Sequence, residues 1–140
     1  MKQGSLIASL FVLLFITLSA CSDSIVTECD IALPEGVAAR FSEIEERVFA
    51  TTCAIAGCHG GTNPASGLDL SPGQAYAQLV DVPSLNDPAR MRVEPGSSAQ
   101  SLLISLLRRE AQPFMPPAGP LDAAVIDSIA TWIDAGAERN

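Results

Sequence analysis

A chain of 140 residues has room for one domain. Its 16 Asp and Glu outnumber its 8 Lys and Arg, giving a net charge of −8, and that balance excludes a nucleic-acid binder, because phosphate binding needs clustered basic side chains. Residues 1–20 hold Lys2 and no acid, so the remainder carries −9 and no Lys at all, a charge that suits plain solubility or a basic partner.

Met1 and Lys2 make a short positive start, Leu6 to Leu18 is an apolar run, and the small residues Ser19 and Ala20 precede Cys21. This is the pattern of a secretory signal. The run falls short of the roughly 20 apolar residues that a spanning helix needs. Leu18-Ser19-Ala20-Cys21 closely resembles the lipobox of bacterial lipoproteins. The resemblance implies acylation of Cys21, which becomes the first mature residue. Each buried CH₂ of its acyl chains then adds roughly 0.8 kcal/mol of membrane affinity. The expected organisation is a lipoprotein signal peptide at 1–20, a tether at 21–34 ending on Pro34, and one domain at 35–140. The chain is then exported and held to a bacterial membrane by its lipid, facing the periplasm. Ser22 after the Cys points to the outer membrane. An ordinary signal peptide with a chance Cys21 is the alternative. Cys29, in the tether, has no assigned partner.

Residues 35–52 read as a helix: Phe41, Ile44, Val48 and Phe49 share one face, with Glu43, Glu45, Glu46 and Arg47 mostly on the other. Residues 57–71, rich in Gly, Ser, Asn and Pro, read as a loop. Ser71-Pro72 opens a short helix, with Ser71 as N-cap and Ala75, Tyr76, Leu79 and Val80 as its apolar positions. Residues 81–96 form a long loop. Ser97 with Gln100 fits a capping box before a helix carrying Leu102, Leu103, Leu106 and Leu107. Residues 112–120 hold four Pro and are not helical. Asp122 is the N-cap of the last helix, with Leu121 and Ile126 as a hydrophobic staple. Ile126, Ile129, Trp132 and Ile133 form its buried stripe, and Gly136 ends it. Nothing alternates at period two, so the domain is expected to be all-α, about four helices with long Gly/Pro loops. Such a chain has few aromatics and a thin core, and small domains of that kind lean on a disulfide, metal or cofactor.

The chemistry sits at Cys53-Ala-Ile-Ala-Gly-Cys58-His59. Two Cys followed at once by His is the attachment signature of c-type haem, usually with two residues between the Cys; here there are four. Ala54, Ala56 and Gly57 are small enough for that longer spacer to bulge outward, and His59 is the only His of the chain. A Cys53–Cys58 disulfide is the rival, since exported proteins are oxidised. A copper site built from thiolates, His59 and a Met is another. Zinc lacks a fourth ligand at finger-like spacing. Met115 lies on the Pro-rich loop Phe114-Met115-Pro116-Pro117, which holds a thioether at little ordering cost; core filler is its alternative role. Met91 competes with it, between Arg90 and Arg92, which make it look exposed. Arg92 reads as an exposed ion-pairing residue, or else faces a haem propionate. Trp132 and Phe49 are expected to pack the terminal helices together near the haem edge, and Gly60-Gly61 to let the backbone approach the porphyrin.

Residues 37 to 137 resemble the small class I cytochrome c domains of bacterial lipoproteins, including those of myxobacteria and planctomycetes. The likeness is carried by the helix leading into Cys53, by Cys58-His59-Gly60-Gly61, and by Gly67-Leu68-Asp69-Leu70. It continues through Pro95-Gly96 with Ser101-Leu102-Leu103, Met115-Pro116-Pro117, and Trp132-Ile133 with Gly136-Ala137. The resemblance implies one haem c bound through thioethers at Cys53 and Cys58, with His59 as proximal and Met115 as distal iron ligand. It also implies an electron carrier rather than an enzyme, one that passes electrons by outer-sphere transfer to redox partners the sequence does not name. Two other classes remain: a haem-based sensor or ligand-binding module with an open distal site, and a non-haem surface lipoprotein closed by the disulfide.

Overall fold

The computed structural model describes residues 36–140. The signal peptide 1–20, the tether 21–34, Cys21 and Cys29 lie outside the described residues. Within them the chain is helical, with four α-helices and no strand; the only extended pairing is three isolated bridges. No helix among the described residues is long and apolar enough to cross a membrane.

Helix α1, Phe41–Ile44, runs without a break into a π-helical stretch, Glu45–Cys53. Phe41, Ile44, Val48 and Phe49 are all buried, as their spacing predicts. The helix starts at 41 rather than 35. Its residue before the first turn, Arg40, is extended and offers no side-chain cap. The cap comes from the far end of the chain: the Phe41 N–H donates to Asn140 Oδ1 at 2.8 Å and the Ser42 N–H to the Asn140 carbonyl at 3.0 Å. Two of the N–H groups that every helix start leaves orphaned are thereby satisfied.

Helix α2 is Ala75–Leu79. Ser71 does not cap it. The Ser71 N–H donates to Asp69 Oδ1 at 2.9 Å, an Asx turn that holds Ser71 away from the helix, and the N-cap position falls to Gln74. Helix α3, Leu102–Leu107, also starts late. The capping box at Ser97 and Gln100 does not form: the Ser97 and Gln100 N–H groups donate to the Glu94 and Ser97 carbonyls at 3.0 and 3.3 Å, and the same turn is tied together by the buried Ser101 hydroxyl. It accepts from the Glu94 N–H at 2.9 Å and donates to the Ser97 carbonyl at 2.9 Å.

Helix α4, Ala123–Asp134, follows its local signals. Asp122 Oδ1 accepts from the Ala124 N–H at 2.8 Å. Ile126, Ile129, Trp132 and Ile133 are buried, and Leu121 packs against the same core. At the other end Gly136 has φ +106°, and the N–H groups of Gly136 and Ala137 donate to Ile133 and Trp132 at 2.9 and 3.0 Å. That double bond with a left-handed residue is a Schellman ending.

The aromatic contact between the terminal helices is not the expected one. Trp132 meets Phe41, with ring centroids 5.6 Å apart, and Phe41 also meets Tyr76 edge-on at 5.1 Å. Phe49 lies two turns further on and makes no ring contact with Trp132. Truncating Ile129 to Ala in the centre of this core should cost about 2–5 kcal/mol, and Asp122→Ala about 1 kcal/mol for the lost cap. Urea unfolding followed by circular dichroism measures both, and Ile129→Ala is expected to show the larger loss.

Candidate functional site

The π-helical stretch delivers Cys53 at its last residue. The next N–H, Ala54, donates back to the Phe49 carbonyl at 2.7 Å, an i to i+5 bond, and the chain then loops out and returns. The Cys58 N–H donates to Ile55 at 3.0 Å, and the His59 N–H to the Cys53 carbonyl at 3.0 Å. Ala56 and Gly57 are exposed and Ile55 is 49% exposed, with Ile55 and Gly57 also bordering the cavity behind the loop. Gly57 turns at φ +84°. Gly60 sits where this loop meets itself. A Cβ there would collide with the Ala54 carbonyl, so the glycine lets the loop close on itself. Gly61, at φ +86°, has open space around it.

Behind the loop lies a cavity of about 690 Å³ lined by Cys53, Cys58, His59 and Met115. Pockets that hold small molecules and cofactors run from about 300 to 1,000 Å³. Its walls are largely apolar: Val48 and Phe49 from the π-helical stretch, Leu68 and Leu70 from the loop, Leu79 from α2, and Ile129 from α4. Helix α3 contributes most, with Leu102, Leu103, Leu106 and Leu107. Three of these expected core leucines (Leu102, Leu103 and Leu106) are only half-buried, because they face this space rather than the packed interior. Met115 is half-buried on the same wall, its N–H donating to the Leu106 carbonyl at 3.2 Å. Met91 lines a separate, more open depression with Arg90, Glu94 and Gln100. It is half-buried, not exposed.

The cavity also has charged groups. Arg90, Arg92 and Asp87 reach its wall. Arg92 is buried at 8% exposure and forms no ion pair among the described residues; the exposed ion-pairing arginine predicted from its neighbours is corrected. Burial pulls its affinity for the proton down. Arg90 donates from Nη2 to Ser105 Oγ at 2.8 Å.

Cys53 and Cys58 are both free thiols and half-buried. Burial, with the neighbouring Cys58 adding to it, pushes the Cys53 thiol up to about 11. It is thus protonated at neutral pH, a poor nucleophile and a poor soft-metal ligand. No group of three or more His, Cys, Asp or Glu gathers as a metal-ligand set among the described residues. His59 Nδ1 is buried without a hydrogen-bond partner. An unpaired buried polar atom of this kind costs about 1–3 kcal/mol.

The four residues that the sequence singles out thus share one cavity. Arg90, Asp87 and the α3 leucines were not singled out as site residues. The leucines carry a helical stripe indistinguishable from a core stripe, and nothing local marks Arg90 or Asp87. No protein family, no curated protein and no solved structure is matched by this chain.

The raised thiol predicts a reactivity difference. In the cofactor-free chain at about pH 8, Cys53 should be alkylated by iodoacetamide roughly ten- to a hundred-fold more slowly than a free cysteine peptide. Peptide-resolved mass spectrometry reads the rates, and equal rates would show that Cys53 is not shielded.

Proposed function

We propose that the domain is a lipid-anchored monohaem c-type cytochrome of the class I type, carrying electrons on the periplasmic side of a bacterial membrane. The observation that carries this reading is the convergence of both thiols, the only His and Met115 on one apolar cavity. The residues fit the group. His59 has a buried ring nitrogen with no protein partner, the thiols are unpaired with each other, and α3 offers an apolar wall for a flat ligand.

In this assignment Cys53 and Cys58 would hold haem c through thioethers, and His59 and Met115 would supply its iron ligands. The bound group supplies a reversible one-electron couple, whose potential a Met ligand tends to raise relative to a second His. The chain's own residues do the rest. The backbone bond from His59 to Cys53 fixes the imidazole beside the thiols. The Pro-rich loop, through the bond from the Met115 N–H to the Leu106 carbonyl, holds Met115 on the cavity wall, 56 residues on from His59 in sequence. The leucine wall keeps water off. With His59 and Met115 both committed to the metal, the domain would serve as an electron carrier rather than an enzyme. Cys21 supplies the membrane anchor, and the outer membrane is its expected location. Its redox partners are other proteins; nucleic acid is not among them.

Export of the full chain in a host with haem-attachment machinery tests the cofactor. The denatured protein should stain for haem, and Cys53→Ala with Cys58→Ala should lose the stain entirely; a colourless product with a Cys53–Cys58 disulfide would overturn the reading.

The distal ligand has its own test. Met115→Ala should abolish the long-wavelength sulfur-to-iron absorption band of the oxidised protein and open the reduced iron to carbon monoxide. Survival of the band in Met115→Ala, with its loss in Met91→Ala, would move the ligand to Met91.

A further inference from the structure

Seven arginines lie among the described residues, and their surroundings divide them. Arg40 and Arg47 pair with Glu43, and Arg108 with Asp127. Arg109 lies over the Phe114 ring and Arg139 over the Tyr76 ring. Arg90 and Arg92 are left. Neither meets a carboxylate or an aromatic face, and both sit on the wall of the haem cavity.

Arg92 is the more constrained. Its Nη1 donates to the Gln78 carbonyl at 2.7 Å and lies 3.4 Å from Gln78 Oε1. Gln78 stands in the last turn of α2, where carbonyls lack helical partners, so the contact both closes that helix and fixes the guanidinium in place. A guanidinium carries five N–H donors in a flat fork suited to a carboxylate. Gln78 engages one edge of it. A buried charge without a counter-ion is strongly unfavourable, and this chain has 16 carboxylates from which to supply one. Asp87, on the same wall, forms no ion pair with either arginine. The anion is therefore left to the ligand.

We propose that Arg92, with Arg90, is the counter-ion for the carboxylates of the cavity's ligand, the two propionate groups of the haem. The proposal rests on the haem assignment and adds an orientation to it: the carboxylate edge faces the turn that holds residues 90 to 92. A fixed cation in a space walled by leucines favours the less positive, reduced state. Arg92 thus tunes the couple as well as positioning the group.

Redox titration of the full-length, haem-loaded chain tests this. Arg92→Gln should lower the midpoint potential, and Arg92→Lys should recover most of the shift because the charge is kept. Arg108→Gln, which removes an exposed arginine paired with Asp127, is the control and should shift it far less. A shift in Arg92→Gln no larger than that control overturns the proposal. Should Arg92→Gln give no folded product by circular dichroism, Arg90→Gln carries the same test, and a potential no lower than that of the control again overturns it. A wild-type chain that fails to stain for haem instead overturns the cofactor assignment beneath it, and that result is read before any potential is measured.

Discussion

The hydrogen bond from the His59 N–H to the Cys53 carbonyl, 3.0 Å long, closes the segment on which the site depends. Without it, five residues of chain separate the imidazole from the first thiol. With it, both thiols and the imidazole belong to one tight turn at the end of a helix. The bond is possible because the chain can fold flat on either side of it. The π-helical bond from Ala54 to Phe49 ends the helix at the right point, and Gly60 lets the returning strand of chain press on the Ala54 carbonyl. The Leu70 N–H then donates to the His59 carbonyl at 2.7 Å, tying the turn to the following loop. A side chain at Gly60 would strike backbone, which cannot swing aside as a flexible side chain can.

The cavity behind this turn explains an oddity of the core. Helix α3 brings apolar side chains in excess of what the other helices cover, and the surplus faces the cavity. Hydrophobic burial scales with apolar area removed from water, roughly 25 cal/mol per Å². Leucines lining an open space therefore leave part of that stabilisation unrealised. A flat apolar ligand would complete their burial, and the fold and the cofactor would then stabilise each other by mass action. The proposed haem supplies such a face, which also accounts for a helical domain with so few aromatic side chains of its own.

Much of this was legible in the residues, and the rest was hidden for physical reasons. Helix α4 could be read almost residue by residue, because Asp122, the Ile126 to Ile133 stripe and Gly136 act through bonds within a few positions of themselves. Ser71 and Ser97 carried the same kind of local signal and lost to neighbours. Asp69 captured Ser71, and the Ser97 and Gln100 N–H groups that a capping box would have used went to the Glu94 and Ser97 carbonyls. The cap of α1 was beyond local reading altogether, since it is Asn140. The site followed the same division. Cys53, Cys58, His59 and Met115 are marked by residue type and by the Pro around Met115. The burial of Arg92 is not marked, because an arginine flanked by Met91 and Val93 next to Arg90 has the sequence of a surface position. Its true environment is set by Gln78, on a different element. The π-helical stretch was equally silent, since apolar positions at 41, 44, 48 and 49 satisfy an α-helix and its wider relative alike.

The bond between Phe41 and Asn140 spans 99 residues of sequence. Contacts of such long range are formed against the entropy of closing the intervening loop, and they slow the search for the native state. Here that loop contains every residue of the cavity. The two ends of the domain clasp each other outside the site, much as a purse is drawn shut by a string that never touches its contents. That clasp caps α1, and α1 runs on through the π-helical stretch to Cys53. The distance of Phe41 and Asn140 from the thiols is therefore no measure of their influence on them.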